Sequence, residues 1–406
     1  MIRRASIKRT LRRVPAVAKL SHHVGARRFD NEYRRAVLRY QAGSMDYAHH
    51  LNRLHQSWQP RRYLSDPQQA RVVLVCMETW EVRSLIPPVL NYYDAVHIPI
   101  CDTSDYSVYS AQQERVIEEF QRAEKAAPVD LVLVYATNAQ VASETLRKMR
   151  RHGALVAVMC LDDKQSFEDH RPTREWPAGQ LPLIGSAHIH LTNSRECLRW
   201  YDSHNASALH WPAGANTDFG YHQDVEQDID VSFVGQGYGA RLDFITRLRQ
   251  QGIRVSCFGS GWENPFVSDE EMFRIFARSK INLGFGYVGY SNNITCLKGR
   301  DFDVPGSGNF YLTTYDAELA ECFKVGEEIA CYRNEVECAE LVQYYLDNPG
   351  IRQSIALAGR RRVLNSHTWE CRLQSLMELT GIIRGVLRGG GESPDSTNSF
   401  LSETNV

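Results

Sequence analysis

The chain has 406 residues, 43% hydrophobic and 23% charged, with a formal net charge of −1, which suits a folded protein of about two domains and excludes bulk attraction to nucleic acid. Ten cysteines are scattered without a C-x-x-C pair, which argues against a zinc knuckle or a redox motif, and they read as reduced thiols of a cytosolic compartment. No apolar run is long enough to span a bilayer.

Residues 1–20 carry Arg3, Arg4, Lys8, Arg9, Arg12, Arg13 and Lys19, with no acid before Asp30, and Ile2, Ile7, Leu11 and Val14 recur between them at roughly helical spacing. Such an arm either lies on an anionic membrane, serves as a transit peptide, or stays solvated. Residues 21–65 read as helical and place Tyr33, Tyr40, Tyr47 and Trp58 against the first domain. Arg71 to Met77 is a continuous apolar run, as a buried parallel strand requires. A helix over 81–91, interrupted by Pro87 and Pro88, leads to a strand at 95–100. Further helices are expected at 112–126, 139–151 and 194–201, and strands at 131–135, 154–160, 188–192 and 209–212. This alternation implies a doubly wound parallel sheet. A polar linker with four acids follows, and the pattern restarts with a strand at 229–234, the turn Gly235-Gln236-Gly237-Tyr238-Gly239 and a helix at 240–250. A strand at 254–258, a helix at 269–278 and a strand at 281–285 come next. Later elements are a strand at 329–332 and helices at 335–346, 349–365 and 369–387. Residues 389–406 have the composition of a disordered tail.

The most informative stretch is Ser291 to Tyr315, SNNITCLKGRDFDVPGSGNFYLTTY, which follows the glycine-punctuated run NLGFGYVG. It reads as a helix from Thr295 to Val304, capped by Asn292 or Asn293, broken by Pro305 to Gly308 and followed by a strand from Asn309. A glycine-rich turn that feeds a helix start points backbone N–H groups at an anion. Lys298 and Arg300 add positive charge, and Asp303 offers a carboxylate to hydroxyls. An ordinary surface helix explains the same residues.

The order LKGRDFDVPGSGNFYLTTY, then AELAECF, then the stretch from KVGEEIACYRNEVECAEL to the final HTW resembles the C-terminal half of the spore-maturation (CgeB-like) glycosyltransferases of GT-B type. The resemblance covers roughly the last 180 residues before the tail, and the first half is similar in layout only. It implies an α/β fold of two Rossmann-like, doubly wound parallel-sheet domains facing a cleft. The expected divisions are a basic arm and helical extension at 1–65, an acceptor domain at 66–215, a linker at 216–228, a nucleotide-sugar donor domain at 229–370, a crossover helix at 371–388 and the tail at 389–406.

The resemblance also implies an enzyme that moves a sugar from a nucleotide diphosphate sugar to an acceptor hydroxyl; with no DxD-like metal motif where a GT-A enzyme would need one, the transfer is expected to need no metal or further cofactor. Gly235, Gly237 and Arg241 stand where such proteins approach the diphosphate or the acceptor, although a plain tight turn fits as well. Gly259 and Trp262 fall near the expected nucleotide base, with a buried tryptophan as the competing reading. Ser291, Asn292 and Asn293 are expected at the diphosphate, Lys298 and Arg300 at the leaving group, and Asp303 at the ribose. Counting back eight positions from Asp303 gives Thr295 rather than an acid, so stereochemistry stays open. Asp301 and Asp303 on one helix point apart, which argues against a metal site. Asp162 and Asp163 close a strand, where open α/β sheets place ligands, and either is a candidate base or a mere turn former. The expected partners are the donor and a sugar, lipid-linked or other hydroxyl acceptor, with cytoplasmic placement and a peripheral contact at the inner membrane face through the basic arm. Two other readings are a catalytically silent module of the same fold and a nicotinamide-dependent oxidoreductase, the latter opposed by the lack of an acid at the end of the 254–258 strand.

Overall fold

The computed structural model describes residues 15–168, 176–218, 225–265, 267–289, 291 and 293–384, with side chains described from residue 25 onward. The basic arm at 1–14, Asn292, part of the linker and the C-terminal tail lie outside the described residues.

Two parallel sheets organise the chain. The first has the order β2-β1-β3-β4-β5-β6, from β1 (Arg71–Cys76), β2 (Asp94–Pro99), β3 (Leu131–Tyr135), β4 (Leu155–Cys160), β5 (Ile189–Thr192) and β6 (Ala208–His210). The second has the order β11-β10-β9-β7-β8, from β7 (Ile229–Val234), β8 (Val255–Phe258), β9 (Ser279–Leu283), β10 (Tyr311–Thr314) and β11 (Ala330–Tyr332). Side chains alternate across the first sheet. Val72, Leu74 and Cys76 enter one apolar cluster, whereas Val73 and Val75 enter another on the opposite face. Period-two alternation with apolar residues on both faces is what a sheet covered on two sides demands.

Helices fill the connections. These are α1 (Pro15–Arg39), α2 (Tyr47–Ser57), α3 (Glu81–Ser84), α4 (Ile86–Tyr92), α5 (Tyr106–Ala126), α6 (Ser143–Arg150), α7 (Asp163–Ser166) and α8 (Leu198–Asp202) in the first unit. The second unit contributes α9 (Ala240–Gln250), α10 (Asp269–Arg278), α11 (Arg300–Gly306), α12 (Ala317–Cys322), α13 (Glu335–Asp347), α14 (Pro349–Ser366) and α15 (Trp369–Leu379).

Several elements differ from the sequence reading. Pro87 and Pro88 begin α4 rather than interrupt a helix, because a proline at the first turn forfeits no intrahelical bond. The helix expected from 139 begins only at Ser143, since Gln140 Oε1 accepts from the Thr137 N–H and hydroxyl and holds a turn there. The last helix stops at Leu379, with Gly381 at a φ of 79°. The largest change is in the focal stretch. Residues 294–299 are not helical, and α11 starts at Arg300 and contains Pro305 and Gly306. Residues 286–288 instead pair with residues 294–296. The Val288 N–H donates to the Ile294 carbonyl, the Cys296 N–H donates to the Gly286 carbonyl, and Ser291 Oγ accepts from the N–H groups of Asn293 and Ile294. β-Branched Ile294 and Thr295 favour this extended pairing over a helix.

One apolar cluster spans both units. It runs from Leu74 and Val89 through Trp211, Ala213 and Ala215 to Trp369, Leu373 and Met377. Trp369 Nε1 donates to Ser84 Oγ at 3.0 Å, and Trp211 Nε1 donates to the Arg372 carbonyl at 3.1 Å. Beyond α15 the chain pairs with the first unit, with the Leu64 N–H on the Ile382 carbonyl. Trp369 is fully buried, so Trp369→Ala is expected to lower stability by about 3–5 kcal/mol, and Trp369→Phe by less. Chemical denaturation of the three proteins measures this; equal midpoints for Trp369→Ala and wild type contradict it.

Candidate active site

The C-terminal ends of both sheets face a cleft of about 420 Å³, lined by Gln165 from the first unit and by Gln236, Gly237, Tyr238, Ser260, Gly261 and Gly289 from the second. Ligands of open α/β sheets bind at such strand ends.

Two glycine turns interlock to form its floor. The Gly235 N–H donates to the Phe258 carbonyl and the Gly237 N–H to the Ser260 carbonyl, at 2.8 and 2.7 Å. These N–H groups therefore brace the floor and do not face an anion. A Cβ on Gly235 would come within 2.6 Å of Arg300 Nη1, and one on Gly259, where φ is 119°, within 2.6 Å of the Gly235 carbonyl oxygen. Only glycine leaves that room. Trp262 Nε1 donates to the Gly235 carbonyl at 2.9 Å and its ring meets Phe233 edge-on, so the tryptophan supports the turn from beneath.

Two arginines flank these turns. The Arg241 guanidinium lies 4.7 Å from the Tyr238 ring centre and donates to the Gln236 carbonyl. The Arg300 guanidinium lies 5.2 Å from Phe233, and its Nε is buried without a partner. Neither forms an ion pair with a carboxylate among the described residues. Burial, reinforced by Arg300, pulls Arg241 down to about 10, so it keeps its charge at neutral pH. Arg241 sits in the first turn of α9, whose N-terminal dipole also favours an anion. Two neighbouring like charges, one buried and one part-buried, with no ion-pair partner among the described residues suit an added anion.

Lys298 and Asp162 meet across the cleft, with Nζ and Oδ1 at 3.6 Å. Burial alone would lower the lysine, but Cys296 and Asp162 outweigh it and hold the ammonium above its ordinary range. Lys164 crosses in the other direction, and its Nζ donates to the Thr295 carbonyl at 2.9 Å. Asp162 is half exposed at the end of β4. Its neighbour Asp163 is buried, accepts from the Tyr201 hydroxyl at 2.8 Å, and is pushed up to about 7 by burial. The two acids thus face opposite sides of the strand end.

The acids of α11 also diverge. Asp301 accepts from the Lys298 N–H and the Tyr311 hydroxyl and so caps the short helix internally. The Asp303 carboxyl is buried without a hydrogen bond among the described residues, beside Arg83 and Arg300, and burial pushes it up to about 7. Ser291 is fully buried within its own turn, and Asn293 Nδ2 donates to Asp30 of α1 at 3.1 Å, so neither presents a helix start to the cleft. Among the described residues no group of three or more histidine, cysteine or acidic side chains is arranged to hold a metal. The sequence reading did not single out Lys164, Gln165, Arg83 or Asp30, because each reaches the site from a distant element with no local motif.

Asp303 carries a pH signature. A carboxyl whose folded value is raised favours folding below its unfolded value and loses that contribution as pH rises towards about 7. The stability of Asp303→Asn relative to wild type is therefore expected to rise from pH 4 to pH 8. Melting temperatures across that range test it, and a flat difference removes the assignment.

Residues 241–378 match the model of a family described as glycosyl transferase-like. No sequence among the curated proteins matches the chain. Among solved structures the chain is similar to Anabaena Alr3699/HepE in complex with UDP and glucose, at 11% identity and a TM-score of 0.50 over 76% of this chain and 99% of that one. It is also similar to sucrose-phosphate synthase from Thermosynechococcus elongatus, at 12% identity and a TM-score of 0.47 over 77% and 98%. A glycosyltransferase from Rickettsia africae ESF-5 gives 11% identity and a TM-score of 0.47 over the same shares. The fold is thus GT-B, two Rossmann-like parallel-sheet domains facing a cleft, and the family match falls on the unit that carries Arg241, Lys298, Arg300 and Asp303.

Proposed function

We propose that the protein is a glycosyltransferase of the GT-B type, and within that type of the spore-maturation-like group, which moves a hexosyl unit from a nucleotide diphosphate sugar to an acceptor hydroxyl. The observation that carries this reading is the pair of guanidiniums, Arg241 buried and Arg300 part-buried, neither in an ion pair with a carboxylate among the described residues, beside the glycine turns that line the cleft. A diphosphate supplies the missing negative charge and accepts the planar, bidentate bonds that guanidiniums offer. The match of residues 241–378 to a glycosyl transferase-like family supports the same assignment.

In this reading Arg241, Arg300 and Lys298 bind the diphosphate, and the floor at Gly235, Gly237, Gly259 and Trp262 receives the nucleoside. Asp303 accepts from the ribose hydroxyls. The loop at Ser291 and Asn293 borders the transferred sugar. The acceptor binds on the first unit, and its hydroxyl oxygen attacks the anomeric carbon while the bond from that carbon to the diphosphate oxygen breaks. The proton passes to Asp162, the exposed member of the acidic pair, while buried Asp163 fixes the strand end through Tyr201. The leaving diphosphate departs with its charge held by protein cations, so the proposed transfer needs no metal.

Thermal-shift measurements with UDP, GDP, dTDP, CMP and NAD test the proposal. UDP heads the panel because it is the nucleotide bound to the Anabaena protein. Stabilisation by one nucleoside diphosphate is expected, with Arg300→Ala or Arg241→Ala weakening its binding by about 10–100-fold, the loss of one or two charge-assisted bonds. Stabilisation by NAD alone, or by no nucleotide in either the presence or absence of magnesium, refutes it.

A further inference from the structure

Helix α1 has two faces of different chemistry. Phe29, Tyr33, Ala36 and Tyr40 follow at i, i+4, i+7 and i+11 and turn inward. Tyr40 packs on Phe167 and Trp200, and its hydroxyl bonds Glu168, while the Tyr33 hydroxyl bonds Glu196. These contacts anchor the helix to the first unit. Phe29 and Tyr33 also pack on Val288, Ile294 and Cys296, and Asp30 accepts from Asn293, so the same face touches the loop that borders the cleft in the second unit. The helix is therefore fixed in place over the cleft rim by groups from both units.

The outward face carries the opposite character. Arg27, Arg28, Arg34, Arg35 and Arg39 are exposed there, with Leu38 65% exposed among them. Glu32 pairs with Arg28, and Glu168 pairs with Arg39. Arg27, Arg34 and Arg35 have no acidic partner among the described residues, in a chain whose net charge is −1. The positive charge is thus local to one helical face and is not a property of the whole molecule. Arginines that surround an exposed leucine suit a plane of anionic headgroups, where the cations meet phosphates and the leucine reaches the acyl boundary.

We propose that the outward face of α1 docks the protein on an anionic lipid surface and holds the rim of the cleft beside it. The charge complementarity of this face singles out the lipid as occupant. The inference stands without the transferase reading, because vesicle binding is measured with no sugar or nucleotide present.

Co-sedimentation of the full chain with phosphatidylcholine vesicles, with and without about one-third phosphatidylglycerol, tests it. Binding is expected only to the anionic vesicles and is expected to weaken from ~0.05 to ~0.5 M salt as screening shortens the reach of the arginines. Removing three surface cations in R27S/R34S/R35S is expected to lower partitioning about 100-fold, whereas R27K/R34K/R35K keeps it within a few-fold. Unchanged melting temperatures confirm that both variants fold. Equal binding to neutral vesicles overturns the proposal. So does undiminished binding by the serine variant, which would place the contact on the first fourteen residues. Binding to a soluble polyanion such as heparin, with none to vesicles, overturns the choice of lipid.

Discussion

Two guanidiniums share one apolar wall. Arg241 and Arg300 lie near the same Phe233 ring, and the burial that draws Arg241 down to about 10 is reinforced by its neighbour. The surrounding architecture makes that arrangement possible. Gly235 has no Cβ where Arg300 passes, Gly259 has none where the Gly235 carbonyl passes, and Trp262 fills the space below. An unpaired buried charge is among the most unfavourable features a fold can keep, and cation–π contacts of about 0.5–2 kcal/mol offset only part of its desolvation. The local fold tolerates this pair, Arg241 buried and Arg300 part-buried near Asp303, which makes it the strongest single indication of a ligand.

The site also depends on how the two units are joined. The apolar cluster through Trp211 and Trp369 fixes one end of the interface, and the return of the chain after α15 to Leu64 closes it. Interfaces between domains of one chain are commonly polar and permissive of motion. This one contains two fully or nearly fully buried tryptophans whose N–H groups are both satisfied, so relative rotation must take place about that end.

Much of the fold was legible in the sequence because the strands carry it openly. Runs such as RVVLVC and LVLVY can only be buried on both faces, and their alternation with helices specifies parallel sheets. The site was legible only in part. Lys298, Arg300 and Asp303 stand out as charges in one segment, yet the helix expected before them is a folded-back loop, because Ser291 captures the N–H groups that would have opened a helix. The distinction between Asp162 and Asp163 was not legible at all. It depends on Tyr201, 38 positions away, whose hydroxyl takes Asp163 inward. Cross-chain contacts of this kind leave no periodic trace, and the same holds for Arg83 beside Asp303 and for Asp30 on Asn293.

The crossed lysines have a mechanical consequence. Lys164 reaches from the first unit to the Thr295 carbonyl, and Lys298 reaches from the second toward Asp162. The two tethers run in opposite directions over the same gap, much as the laces of a shoe do. A shear in either sense stretches one of them, and a wide hinge opening breaks both. With the tryptophan core as the fulcrum, any opening of the cleft has to release both of these polar contacts first.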